Sequence, residues 1–412
     1  MAGCSDMNRW TASLFGLMSA LPILISIHMA RGAATLFTIM AAAALGLHFW
    51  PRRFPLAVAR PYLLLMAALC LWAVLSALWA YDLRADGLGA LRLCAMMAGG
   101  LVLVSLARRL NPDEARRFRR FFVLAYAAIA GLIAFDLLSG MQVMRLTYAW
   151  RGMTVPASFT FVHDTKHRAI LMAILMAPAF LAAKREWGLR AALPLAAVAS
   201  LLVVAHRSET ALLALAGGMI AAPLSFWRPK ATLWAGLAGL VLLFLLPPFL
   251  PGNLPTAQEF GQAHPEVSTS LRHRLAIWEY ALNRVTERPI LGHGFDAARE
   301  IGGREPKRMI ELGTIHGVPY QPYFEPIPLH THNGVIQLWL ELGAVGALIG
   351  GLLLTLLWRR IHTLADPWER AGRTALFVAV MAPVLSSYGL FQAWWVGTLW
   401  LAIAALEAEN AA

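Results

Sequence analysis

The residues best suited to chemistry gather in one polar stretch, Ser268 to Gly343, which holds Arg272, Arg274, His293, His330 and His332. A guanidinium stays charged and offers a planar fork of donors that matches phosphate oxygens in pairs. An imidazole exchanges its proton near neutral pH and can take one from a hydroxyl. The stretch therefore offers anion binding beside base catalysis. His330-Thr331-His332 is its sharpest local feature, and Asn333 and Gly334 follow at the mouth of an apolar run. Three uses are open to the two histidines. As metal ligands they need further partners; Asp164, Glu300, Glu305, Glu325 and Glu341 are available, but no His-Glu-x-x-His or similar spacing occurs. As a general base, a neutral ring could deprotonate an acceptor hydroxyl. As a structural group, a histidine could cap the next helix; for His330 this use stays open beside the catalytic one.

Two further basic features stand apart from this stretch. Segment 139–167 contains Arg145, Arg151, His163, Asp164, Lys166 and His167, with Arg168 next to it. The tight connection His206-Arg207-Ser208-Glu209 joins two apolar runs. Arg207 has almost no loop around it, and an ionisable group at a span end facing a bundle interior is a functional candidate. Lys166 and Arg168 are secondary candidates for phosphate contact. Arg145 and Arg151 read as interfacial anchors.

What must position these groups is a membrane. The chain has 412 residues, of which 59% are hydrophobic and 14% charged, against about 25% charged in a soluble domain. Apolar runs of roughly 17–25 residues recur throughout, and that length spans a bilayer as helix. The fold class is an all-α polytopic membrane protein, read as a single membrane domain over 1–412. About twelve spans are expected, near 11–28, 32–50, 62–80, 88–107, 120–138, 168–184, 188–205, 210–227, 232–250, 333–357, 371–388 and 391–408. A large loop, 251–332, lies between the ninth and tenth. The alternation of a porin strand is absent, which argues against a β-barrel. The formal charge of +12 reports orientation and contact with anionic lipid. No RNA module or zinc-finger spacing accompanies it, so nucleic acid is not an expected partner. Cys4, Cys70 and Cys94 make neither a metal spacing nor a disulfide framework. The first apolar run reads as an uncleaved helix.

Loop charge sets orientation. One set of alternate loops holds Arg52, Arg53 and Arg60, then the cluster from Arg108 to Arg120, then Lys184, Arg185 and Arg190, then Arg228 and Lys230, then Arg359, Arg360, Arg370 and Arg373. The opposite short loops hold little besides Arg31 and Arg84. The positive-inside rule puts the rich set and both termini in the cytoplasm. The large loop, segment 139–167 and the Arg207 turn then share the far face, the periplasm of a Gram-negative cell. Their basic residues break the rule, and an anionic substrate accounts for the exception.

Within the large loop, Leu271, Leu275, Trp278, Leu282 and Val285 recur at steps of four and three, which is one helical face. Ser268, Thr269 or Ser270 can cap its start, and Pro289 lies past its end. Arg272, Arg274, Arg284 and Arg288 could be merely its solvated face, the last two above all. Next, Gly292 and Gly294 flank His293 in a tight turn. Tyr320, Tyr323 and Phe324 lie in a Pro-rich extended lid, fit either to stack on sugar rings or to sit in an interfacial belt.

Three motifs in order resemble the O-antigen ligase family. His332-Asn333, nine residues and then Gly343, with Glu341 in place, is similar to the end of the family's shared domain. Arg274 through Trp278, followed by Pro289, Gly292 and Gly294, resembles its loop arginine segment and Pro-x-x-Gly-x-Gly turn. Arg207-Ser208-Glu209 resembles its arginine turn between spans, with His206 where the family has Ser. The motifs cover roughly 200–345. The resemblance implies a metal-independent, inverting membrane glycosyltransferase of the bacterial inner membrane with no cofactor. Its donor would be a glycan on undecaprenyl pyrophosphate, and its acceptor the outer core sugar of lipid A–core. His332 would be the base, with His330 and Asn333 in support. Arg207 and Arg274 would hold the pyrophosphate, with Lys166 and Arg168 behind them. An O-antigen polymerase or a protein O-oligosaccharyltransferase shares the domain and differs in acceptor. A transporter is the rival from another class, and it should show internal repeats with broken helices meeting at the bilayer midplane.

Overall fold

The computed structural model describes residues 9–28, 32–46, 56–156, 161–315 and 317–408. They form a helical bundle with one polar arm. In chain order the helices are α1 (Arg9–His28), α2 (Gly32–Ala44), α3 (Arg60–Ser76), α4 (Leu83–Ala107), α5 (Pro112–Leu138), α6 (Gln142–Trp150), α7 (Val162–Trp187), α8 (Leu189–Ala205), α9 (Glu209–Trp227) and α10 (Pro229–Leu245). The arm carries α11 (Ala257–Ala263), α12 (Thr269–Glu287) and α13 (Ala297–Arg304), and the chain returns through α14 (Gly334–His362), α15 (Pro367–Ser386) and α16 (Ala393–Glu407). Six helices, α3, α4, α5, α7, α9 and α14, are long and apolar enough to cross a membrane, and α1, α2, α8, α10 and α16 are shorter apolar helices. The chain is an all-α membrane protein. The expectations for Arg31, Arg52 and Arg53 fall outside the described residues.

Helices start where the sequence supplies an acceptor for the first turn, whose N–H groups have no partner inside the helix. Asp82, Ser208, Asn333 and Asp366 cap α4, α9, α14 and α15, and Asn111 with Glu114 closes a capping box on α5. Packing then depends on small residues. α9 runs along α15; a Cβ at Gly217 would lie 3.0 Å from Val378, and one at Gly218 3.3 Å from the Ala375 carbonyl oxygen. In lipid, such close approach supplies the dispersion energy that water-driven burial cannot. At one end of the bundle Glu407 joins Arg108 at 2.7 Å and Arg373 at 2.5 Å, while Glu186 joins Arg119 at 2.7 Å and Arg120 at 3.0 Å.

Segment 139–167 is not the plain loop expected. Asp136 accepts the N–H groups of Val143 at 2.8 Å and Met144 at 3.3 Å, and this nucleates α6. α7 begins at Val162, six positions before the expected span start, so Lys166 and Arg168 sit in its opening turns. The side chains of His163 and Asp164 lie outside the described residues.

The arm is built around Arg272, which is 2% exposed. It donates to four carbonyls, those of Val267, Leu312 and Thr314 at 3.0 Å and of Pro265 at 3.1 Å. The Tyr320 ring centroid lies 5.7 Å from its guanidinium carbon. Arg272 is therefore an internal strut and not part of a solvated face. Two nested antiparallel hairpins finish the arm: β1 (Arg308–Met309) pairs with β4 (Tyr323–Phe324), and β2 (Thr314–Ile315) with β3 (Val318–Pro319).

The break that shapes the site lies inside α14, where Gly343 adopts φ +63°. The arm satisfies the freed groups. His293 and Gly294 donate N–H to the Leu340 and Glu341 carbonyls at 2.8 and 2.9 Å, and Ala344 donates to the Pro289 carbonyl at 2.9 Å. Irregular backbone among membrane helices persists where such partners exist. Gly292 and Gly343 stand backbone to backbone: a Cβ on Gly343 would strike the Ile290 carbonyl, and one on Gly292 the Glu341 carbonyl. Gly343→Ala is expected to cost about 3 kcal/mol, combining left-handed strain and overpacking. Thermal unfolding in detergent checks this, and an unchanged midpoint would refute the close contact between the two backbones.

Candidate functional site

His332 stands just before α14, at φ +55°. Its Nδ1 lies 2.7 Å from the Ser387 carbonyl oxygen. A carbonyl can only accept, so Nδ1 carries the proton and the neutral ring presents Nε2 as a bare lone pair. The backbone N–H of His332 donates to His330 Nδ1 at 3.1 Å, and the two ring centroids are 4.3 Å apart. Both Nδ1 atoms are thus engaged. Among the described residues no group of three or more His, Cys, Asp or Glu is arranged to hold a metal ion.

α12 delivers Arg274. Ser268 caps this helix through the Leu271 N–H at 3.3 Å. Its buried face includes Ala276, Ile277, Ala281, Leu282 and Val285, so the expected stripe is right at its C-terminal end and rotated at its start. Trp278 Nε1 donates to the Thr331 carbonyl at 2.9 Å, which fastens the helix to the His-Thr-His segment one turn from Arg274. α9 delivers the other half. Arg207 is exposed at φ +50° in the turn before it. Two residues on, Glu209 lies near enough to Arg274 to favour its charged form. The next residue, Thr210, places its hydroxyl 2.8 Å from that of Ser387 and 3.2 Å from that of Ser386. The Arg207 turn, Arg274 and His332 therefore converge through Glu209 and through Ser387.

Electrostatics match this geometry. Burial pushes the His332 ring down to about 4, and the nearby charges of Arg274 and Lys166 act the same way, while the Ser387 carbonyl opposes them. Burial pushes His330 down to about 3, reinforced by His332, Arg299 and Lys166. Both rings are neutral near pH 7. Burial also lowers Arg274, against the pull of Glu209. The result is a neutral imidazole within electrostatic reach of two cations, a place suited to an anion beside a hydroxyl that must lose its proton.

The other expected residues take supporting places. Lys166 is half-buried within electrostatic reach of both histidines. Arg168 is fully buried against Asp136 and His206 and has no surface for a phosphate; starting α7 at Val162 turned it inward. Asn333 is the cap of α14, accepting from Val335 at 3.0 Å and Ile336 at 3.1 Å. His293 is buried in the turn that docks on α14, with Nε2 2.9 Å from the Arg284 carbonyl. Glu341 is fully buried and accepts from Gln337 at 3.0 Å and the Asp296 N–H at 3.1 Å, which ties the arm to α14. Of the lid aromatics, Tyr320 lies against Arg272, Phe324 is buried, and Tyr323 is 65% exposed.

Sequence reasoning missed the turn between α15 and α16. Ser387 orients His332, and Gly389 lies against His330, where a Cβ would fall 3.0 Å from the ring. The Leu390 N–H donates to Gln337 at 2.8 Å, docking the turn on α14. Tyr388 meets His167 Nδ1 at 2.8 Å. The signal was four small or polar residues, Ser386 to Gly389, between two apolar runs.

This geometry falls inside a recognised domain. A family model described as O-antigen ligase matches residues 194–350, the span that holds Arg207, Arg274 and His332. Over 148 residues the chain is 28% identical to a Rickettsia conorii protein named "Putative polysaccharide ligase", covering 35% of this chain and 34% of that one. Over 169 residues it is 27% identical to a Rickettsia bellii protein carrying the same name, covering 40% and 38%. The chain spans about a third of the length of the curated relatives it matches.

Proposed function

We infer that the chain, whose residues 194–350 match a family model described as O-antigen ligase, is an inner-membrane glycosyltransferase that moves a glycan from undecaprenyl pyrophosphate to a sugar hydroxyl of lipid A–core. The observation that carries the reading is a His332 ring whose Nδ1 is engaged by the Ser387 carbonyl, within electrostatic reach of Arg274 and Lys166, with Arg207 on the turn before α9. His332 removes the acceptor proton through Nε2. The acceptor oxygen attacks the anomeric carbon from the side opposite the pyrophosphate, and configuration inverts. The bond from that carbon to the pyrophosphate oxygen breaks, and the electron pair leaves with undecaprenyl pyrophosphate. The departing group is already activated and needs its charge met, which Arg207 and Arg274 supply as paired donors. On the orientation read from loop charge, this face is periplasmic and both termini are cytoplasmic.

The test uses purified protein in detergent or liposomes with lipid-linked O-antigen, lipid A–core and EDTA. Polymer on the core is the expected result. Longer lipid-linked chains with no transfer to core would instead identify a polymerase. Transfer abolished by EDTA would overturn the metal-free mechanism and return His330 and His332 to ligand duty.

A further inference from the structure

Behind the Arg207 turn lies a buried polar chain that the transfer steps above do not use. Asp136 near the end of α5 and Arg168 on α7 are both fully buried, with Arg168 Nη1 2.6 Å from Asp136 Oδ2. The other carboxylate oxygen is occupied by the opening N–H groups of α6. Arg168 Nε donates to His206 Nε2 at 2.8 Å, and Nη2 lies 3.4 Å from Met141 Sδ. His206 Nδ1 lies 2.6 Å from the Leu202 carbonyl oxygen, one turn back in α8. Proton bookkeeping closes. Nδ1 must carry the hydrogen toward Leu202, Nε2 accepts from the guanidinium, and so the ring is neutral. The Asp136 charge balances that of Arg168.

This chain ends on backbone of unusual shape. Among the described residues four that are not glycine have positive φ: Met141, Arg207, Asp296 and His332. Such backbone persists where its surroundings over-determine it, and it clusters at functional sites. Met141 touches Arg168, and Arg207 directly follows His206. His206 is gripped on one side by its own helix and on the other by α7. The peptide joining it to Arg207 is tied to the same helix end, the Arg207 N–H donating to the Val204 carbonyl at 3.1 Å.

We propose that Asp136, Arg168 and His206 are positioning residues that lock the left-handed turn at Arg207 and so aim its guanidinium at the pyrophosphate of the donor. The proposal rests on the donor reading given above. It assigns Arg168 a role without phosphate contact, and it gives His206, which stands where the resembling motif has Ser, a reason specific to this chain. A purely structural chain would hold the helices equally well whether or not position 207 carried an arginine.

The experiment exploits that difference. Binding of undecaprenyl pyrophosphate is measured by titration of the full-length protein, with undecaprenol as the phosphate-free control. The variants are His206→Leu, which removes the acceptor, and His206→Gln, which can restore one to Arg168 Nε. Each is made with Arg207 intact and with Arg207→Ala, and compared at matched thermal stability. The expected result is an affinity loss of about tenfold for His206→Leu with Arg207 intact, within the range of coupled neighbours. In the Arg207→Ala background the same change should cost less than about twofold. His206→Gln should recover most of the loss. Equal losses in both backgrounds, parental binding by His206→Leu, or a Gln variant as weak as the Leu variant would each overturn the proposal. If Arg207→Ala alone binds pyrophosphate as the parent does, the donor contact itself fails, and the proposal falls at Arg207 and not at His206.

Discussion

Replacing His332 with alanine will lower the rate of glycan transfer roughly a thousandfold, the middle of the range for loss of a positioned general base, while donor binding stays near the parental level. The ring is not expected to hold the pyrophosphate, so its loss should fall on kcat and little on KM. The pH profile gives an independent check. Burial and the neighbouring cations bring the free-enzyme ring from 6.5 down to about 4. The basic form therefore persists as pH falls from neutral, and the acid limb of kcat/KM, which reports the free enzyme, should lie nearer 4 than 6.5. Bound pyrophosphate adds negative charge beside Arg274 and Lys166 and offsets their repulsion of a proton. The limb in kcat should then lie at higher pH than the limb in kcat/KM. A profile whose acid limbs coincide at 6.5, or a His332→Ala variant with parental kcat, would remove His332 from the reaction.

How far the sequence reaches depends on whether a group's role is local. Asn333 and Ser268 act on the turn that follows them, so their capping is written in the order of residues. Gly343 and Gly292 were legible as motif positions, yet not as partners. Each needs to be glycine because of the other's backbone, about fifty residues away in sequence. Arg272 and Arg274 are two positions apart on one helix. One is spent on four carbonyls and the other is left to face the site, and only the path of the arm separates them. Arg168 failed for a related reason. Hydropathy started the span at Arg168, whereas the helix begins at Val162 and turns that arginine onto Asp136. The Ser387 carbonyl that sets the tautomer of His332 is backbone, and backbone carries no residue-type signal at all.

Arg207→Lys is the second substitution with a large expected effect, a loss of about a hundredfold in kcat, the scale of removing one preorganised donor from a developing anion. The substitution isolates geometry from charge. Lysine keeps the positive charge, and neither side chain is branched at Cβ, so the left-handed backbone at position 207 is no harder to hold. What disappears is the planar fork, which can pair two donors with the oxygens of one phosphate, whereas an ammonium acts as a point charge. Arg274→Lys should behave differently. That side chain is half-buried, and burial already works against its charge. A lysine starts from about 10.4 and not from above 12, so the same desolvation brings it closer to neutrality. Its defect should therefore deepen as pH rises, while the defect of the exposed Arg207→Lys stays level. Turnover measured across pH for both variants separates the two roles. Near-normal turnover by Arg207→Lys would show that charge alone suffices at that turn, and the fork would have no part in meeting the pyrophosphate.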